Sequence, residues 1–202
     1  MQSDLKPDRI IVKDDSGTGA SFPYLQPLQS EYPLIILDTT VRDGVARSWN
    51  ILMEAAGSDY TIISNDDVEV HSNTFRAIID AAESQKNNVF FAGSGHSGNA
   101  FSLFLVRYAF WSEHRFDEYY WPAYFEDNDY AETMARLGHK IITVNTAAYA
   151  HVGSSTIARY SGPEMVEHHK QFQKNRAYFA HKWGGLPGEP GLYEIPFNGR
   201  PH

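Results

Sequence analysis

The sequence predicts an α/β domain with a largely parallel central sheet, and three observations carry that expectation. Short β-branched runs alternate with amphipathic stretches, the order that builds strand–helix–strand units. The chain has 202 residues, 42% hydrophobic and 21% charged, enough to bury one continuous core and too balanced for a disordered segment. No apolar run approaches the ~20 residues of a membrane span.

Each element follows from its own residues. Arg9–Lys13 carries Ile10, Ile11 and Val12 and runs into an Asp-Asp-Ser-Gly turn, so it reads as the first strand. Leu34–Leu37 is a second apolar run. Val45, Trp49, Leu52, Met53 and Ala56 recur at helical spacing, and Gly57 suits the helix end. The third strand is "DYTIIS", after which Val68, Glu69 and Val70 resume an alternation. Phe75, Ile78, Ile79 and Ala82 mark a second helix, with Ser72 or Asn73 as its N-cap. "VFFAGS" and "FSLFLVR" are further strands, "DNDYAETMARLG" a third helix ending near Gly138, and "KIITV" the strand after it. Pro163–Lys182 is amphipathic and helical, and a Gly/Pro-rich tail follows from Gly184. In that tail, Trp183-Gly184-Gly185 reads either as a flap on glycine hinges or as an extension packing one tryptophan.

The bulk properties narrow the function. A formal net charge of −8 argues against binding a nucleic acid backbone. Without cysteine there are no disulfides and no thiolate metal sites. The opening "MQSDLKPDRI" has no apolar signal-like stretch, so a cytoplasmic, soluble protein is the expectation.

In parallel sheets ligands bind beyond the carboxyl ends of the strands, and here those ends are polar: Asp14-Asp15-Ser16, Asn65-Asp66-Asp67, and Asn145 leading on to His151. Such carboxylates suit Mg²⁺ or Mn²⁺, which take one or two of them together with substrate phosphates. The plainer reading of Asp66-Asp67 is a solvated turn. Glu126-Asp127-Asn128-Asp129 can cap a helix through its macrodipole. The aromatic stretch just before it also fits a carboxylate of raised pKa acting as general base or acid. His151 is a structural histidine or, with Asp67, half of a mixed carboxylate–imidazole site. His168-His169 reads as a solvated helix face. Lys13, Arg42 and Arg47 could approach a pyrophosphate, though surface solvation is their ordinary role. No Gly-x-Gly-x-x-Gly, Walker or Gly-x-Ser-x-Gly motif occurs.

Taken in order, "IIVKDDSG", "GVARSWN", "GSDYTIISNDDVEV", "FSLFLVR", "RFDEYYWPAYFEDNDYAETMARLGHKI" and "AYAHVGSS" resemble the successive motifs of inverting family-2-type glycosyltransferases of the GT-A fold. The resemblance covers Arg9 to Ser155. It implies a Rossmann-like catalytic domain over 1–183, with a nucleotide-binding part at 9–100, an acceptor part at 101–160, and 184–202 as an extension. It further implies a nucleotide-diphosphate sugar donor, UDP-sugar favoured, a carbohydrate or other hydroxyl acceptor, and Mn²⁺ or Mg²⁺. Asp14 and Asp15 would sit at the strand end that holds the base, with Arg47 and Asn50 beside the nucleotide-binding loop. Asn65 and Asp66 would line the donor, and Asp67 and His151 would ligate the cation. Glu126 and Asp127 would be the acidic pair whose aspartate deprotonates the acceptor hydroxyl. Two departures stand out: Asn65 replaces the first aspartate of an Asp-x-Asp motif, and the family's usual first strand and helix have no counterpart before Arg9. A non-catalytic nucleotide-sugar or carbohydrate-binding module and a metal-dependent nucleotidyltransferase are the competing readings.

Overall fold

The alternation in two short runs shows how the sheet is covered. Phe90 and Ala92 pack into one core cluster with Trp49, Met53, Trp111, Tyr130 and Met134, while Phe91 between them joins Ile78, Ala82 and Tyr149 on the opposite face. Phe104 and Val106 likewise face the first cluster, and Leu103 and Leu105 the second. Successive strand residues point to opposite faces, so a strand apolar at every position is buried on both sides. The result is a three-layer α/β/α arrangement.

The computed structural model describes residues 5–37, 41–96, 98–151 and 161–201. In chain order its elements are β1 (Ile10–Lys13), α1 (Phe22–Leu25), β2 (Leu34–Leu37), α2 (Val45–Ala56), β3 (Ile62–Ser64) and β4 (Val68–Val70). Then come α3 (Thr74–Ser84), β5 (Phe90–Gly95), β6 (Leu103–Val106), α4 (Tyr108–Glu113), α5 (Glu126–Arg136), β7 (Ile141–His151) and α6 (Pro163–Trp183). Every element read from the sequence is present. The short helices α1 and α4 are additions, too brief to show a period, and the alternation at Val68, Glu69 and Val70 is the edge strand β4. The end of the "AYAHVGSS" stretch after His151 lies outside the described residues.

The expected largely parallel sheet is corrected to a mixed one. β1 and β2 form a two-stranded parallel sheet of their own, and the main sheet runs β3-β6-β5-β7-β4. Among the described residues, β5 and β7 are its one parallel pair; β3–β6, β5–β6 and β4–β7 are antiparallel. For β5–β6 the cause is chain length. β5 ends at Gly95 and β6 begins at Leu103, whereas a parallel crossover needs a dozen residues or more, usually a helix.

The C-terminal segment packs against the end of α6. Trp183 is fully buried with Tyr120, Phe125 and Phe179. The Tyr193 N–H donates to the Trp183 carbonyl at 2.7 Å, and Leu192 joins the same cluster. Of the two readings of that segment, the structure bears out the packed tryptophan. No helix among the described residues is long and apolar enough to cross a membrane.

Candidate functional site

Topology brings the polar strand ends to one edge. β3, β5 and β7 share a direction, because β3 and β5 each run antiparallel to β6 and β7 parallels β5. Their carboxyl ends therefore lie together. β1 points the same way: Arg9, just before it, bonds the Ala56 carbonyl at the end of α2, and Asp15, just after it, bonds the start of α2. α5 ends at Arg136, a short link before β7 begins at Ile141, so its first turn is carried to this edge as well. The loop before α5 closes onto the start of α2, with Val45 N–H donating to the Pro122 carbonyl at 2.8 Å. Gly44 permits that approach. A side-chain carbon there would sit 2.8 Å from the Pro122 oxygen, and its φ is +82°.

At the far end of this edge the structure joins Asp67 and His151. β4 pairs with β7 in a register that sets Val68 opposite His151, which puts Asp67 beside the imidazole, Nε2 to Oδ1 2.9 Å. Both side chains are about one-sixth to one-fifth exposed, at 16% and 19%, reachable from solvent yet held. Asp66 is exposed, and the Asn65 N–H stitches the end of β3 to the Ser102 carbonyl at 2.9 Å. Among the described residues no group of three His, Cys, Asp or Glu side chains could hold a metal. A carboxylate and an imidazole nevertheless fit an ion that draws its remaining oxygens from a diphosphate and water. Asp67 and His151 are the residues that would hold it.

The other strand-end pair is spent inside the protein. Asp15 accepts from the N–H groups of Asp43 at 2.8 Å and Gly44 at 3.0 Å and from Ser48 Oγ at 3.2 Å, capping α2 from outside it. Lys13 bridges Asp15 and Asp43 with its side chain 1% exposed, so the expectation of a solvated lysine is corrected. Asp14 accepts from Ser16 and Ser21 N–H; burial would raise its pKa, but those bonds hold it below the ordinary range. Asn50, 2% exposed, donates to the Phe116 carbonyl and Glu118 and accepts from Trp111 Nε1 and Phe116 N–H, which leaves its amide fully engaged. Arg47 is half exposed and paired with Asp43 and Glu118.

The acidic helix start carries the strongest electrostatic signature. Glu126 is buried, and burial, reinforced by Asp127 beside it, pushes its carboxyl up to about 8. Its Oε2 is buried without a hydrogen-bond partner. Burial also raises Asp127, against the Asn128 N–H bonded to its Oδ1 at 2.8 Å. A raised carboxylate at a helix start is suited to exchanging protons near neutral pH.

The backbone leading into that pair is unusual. Tyr124 and Phe125 have φ of +78° and +73°, left-handed values that cost bulky residues about 1–2 kcal/mol each. The compensation comes from α6. Phe172 and Phe179 pack Phe125, Phe172 and the half-buried His168 meet Tyr124, and Asn175 Nδ2 donates to the Ala123 carbonyl at 2.8 Å. The expectation of a wholly solvated His168-His169 face thus holds for His169 alone.

One turn further on, Asp129 is 3% exposed and accepts from Tyr120 OH, Trp183 Nε1 and Lys182 Nζ. Lys182 also reaches Asp117 at 2.7 Å. Burial alone would lower Lys182, but Asp129 and Asp117 carry it above its ordinary value. Lys182 and Asn175, both on α6, hold this helix start and the loop before it, and reading by motif missed them. Their signal was the inner stripe of α6, His168, Phe172, Asn175, Phe179 and Lys182 at steps of three and four.

The sequence matches the family description "Glycosyl transferase family 2" over residues 1–144. Among solved structures it is similar to the mannosyltransferase PcManGT from Pyrobaculum calidifontis in complex with GDP-Man and Mn²⁺. The TM-score is 0.56 at 12% identity, over 87% of this chain and 66% of that one. It is also similar to GalNAc-T7 with UDP, GalNAc and Mn²⁺, with a TM-score of 0.53 at 11% identity, over 87% of this chain and 45% of that one. The chain thus spans under two thirds of the first and under half of the second. No curated protein matches it.

Proposed function

The chain belongs to glycosyl transferase family 2, and on that premise we propose that it moves a sugar from a nucleotide-diphosphate donor, UDP-linked in preference, to an acceptor hydroxyl with inversion at the anomeric carbon. The observation that carries the reading is the Asp67–His151 pair on the same sheet edge as the Glu126–Asp127 helix start. The two solved structures named above hold a nucleotide or nucleotide sugar with Mn²⁺, and a cation site of one carboxylate and one imidazole is consistent with that chemistry. Asn65, Asp66, Arg47 and the turn at Asp14-Asp15 flank the donor side of the edge.

Asp127 takes the acceptor proton as the hydroxyl oxygen attacks the anomeric carbon. The bond to the diphosphate oxygen breaks on the opposite face, so one displacement inverts that carbon. A bound Mn²⁺ or Mg²⁺ would offset the charge gathering on the departing diphosphate. Glu126, kept protonated by burial to about pH 8, spares Asp127 an anionic neighbour. The exposed Trp121, in the loop before α5, offers an aromatic face to an acceptor sugar.

The test is incubation with Mn²⁺ and a panel of UDP-, GDP- and dTDP-sugars, following nucleoside diphosphate release and the product anomer. Turnover lost in Asp67→Ala supports the reading. No turnover with any donor, or an unaffected Asp67→Ala variant, defeats it. One observation favours a binding module instead: β1 and β2 stand apart from the main sheet and neither has a fully buried residue. Donor binding without transfer, insensitive to Asp127→Asn, would select that alternative.

A further inference from the structure

We propose that Asn175, on α6 and beyond the residues that match the family, is a positioning residue: it clamps the left-handed turn at Tyr124–Phe125 and so sets the direction of Asp127. The inference rests on the reading of Asp127 as the base, and deepens it.

Four observations converge. Tyr124 and Phe125 are consecutive aromatic residues at positive φ, a backbone state that bulky side chains leave unless their surroundings over-determine it. Phe125 is the residue from which α5 starts, and no side chain caps that start. The usual N-cap device, a short polar side chain in extended conformation, is therefore replaced by something else. Asn175 is 0% exposed, and its Nδ2 donates to both carbonyls of the turn, Ala123 at 2.8 Å and Tyr124 at 3.3 Å. Its Oδ1 is buried without a partner, so the carboxamide is kept in the core at the expense of one unmet acceptor. An apolar residue would fill the same space without that penalty, which identifies the two donated bonds as its purpose.

The consequence reaches Asp127 through covalent geometry. The Phe125 carbonyl accepts the Asp129 N–H at 2.8 Å, and the Asn128 N–H is bonded to Asp127 Oδ1. Rotation of the turn toward ordinary φ would swing that carbonyl, open the first turn of α5 and redirect the Asp127 carboxylate. A reacting pair displaced by about 1 Å can lose a hundredfold in rate.

The experiment compares Asn175→Ala with wild type by two readouts. Transfer kinetics should show kcat down about ten- to a hundredfold with donor KM within about threefold, the split expected when an interaction made in the transition state is misaligned. Amide hydrogen exchange, which needs no turnover, should quicken at Asn128 and Asp129 while β5 and β6 keep their protection. Adding Tyr124→Gly, which accepts positive φ freely, should restore much of both, whereas loss of general α6 packing would not be rescued. Should Asn175→Ala fail to fold, Asn175→Ser, which keeps one donor, is read the same way with smaller changes expected. Unchanged exchange at Asn128 and Asp129, or faster exchange across the whole domain, overturns the clamp. A wild type without transferase activity whose helix start still loosens in the variant overturns the functional reading and leaves the clamp standing.

Discussion

Two strand ends that look alike in the sequence, Asp14-Asp15 and Asp66-Asp67, turn out to be opposites. Asp15 is filled by protein donors: two backbone N–H groups, a serine hydroxyl and a buried lysine. Asp66 is exposed, and Asp67 meets an imidazole with solvent still in reach. Asp15 fastens β1 to α2; the second pair keeps solvent within reach. The same division separates Asp129, bonded by Tyr120, Trp183 and Lys182, from Asp127 two residues earlier. Adjacent carboxylates acquire meaning from which donors already occupy them.

Substitution can break that division. Carboxylates filled by the protein should change stability, and those facing outward should change activity. The largest effect is expected at Asp127→Asn, which removes the base and should cut transfer by about 10²–10⁴-fold with little change in melting temperature, read by product formation and thermal melts. Next comes Lys182→Met, which strands Asp117 and Asp129 together in the interior. Removing one member of a buried ion group costs about 3–5 kcal/mol, measurable by denaturant unfolding. Asp15→Ala should lose about 2–3 kcal/mol, the worth of charge-assisted bonds to a helix start together with a lysine left short of a partner. Asp67→Ala should lose under about 1 kcal/mol. Equal losses at positions 15 and 67 would erase the distinction.

The remaining effect is a pH dependence. Glu126 rises from an ordinary 4.5 to about 8 on folding, so between those values the folded state binds more protons than the unfolded one. Stability then falls as pH rises across that window. Glu126→Gln, neutral throughout, should melt close to wild type near pH 4 and above it past pH 8. A gap of the same size at both pH values would show that Glu126 does not titrate this way.

Much of the fold was legible because the signals were local. Phe90-Phe91-Ala92 and Leu103 to Val106 are apolar at every position, which marks strands covered on both faces. Glycines at 44 and 57 bracket α2 as the spacing of its apolar residues required. The sheet's mixed direction was hidden because strand polarity is a matter of connection length and pairing, not of any strand's own composition. The Asp67–His151 contact was foreseeable from two strand ends, and a buried carboxyl at Glu126 from an acidic run behind aromatics. The protein partners of Asp15, Asn50 and Lys13 were hidden, since a sequence gives a polar residue's type and not its partners. Asn175 and Lys182 were invisible for the same reason, being dozens of residues from the groups they hold.

The central claim is that Asp67 and His151 together form the cation end of a nucleotide-diphosphate site. Thermal shift with UDP or GDP, with and without Mn²⁺, tests it most directly, because a ligand bound only by the folded state raises apparent stability, by about 2.7 kcal/mol at a hundredfold excess over Kd. The account predicts stabilisation that needs nucleotide and Mn²⁺ together and disappears in both Asp67→Ala and His151→Ala. Stabilisation that is the same without Mn²⁺, or that survives both substitutions, would contradict it.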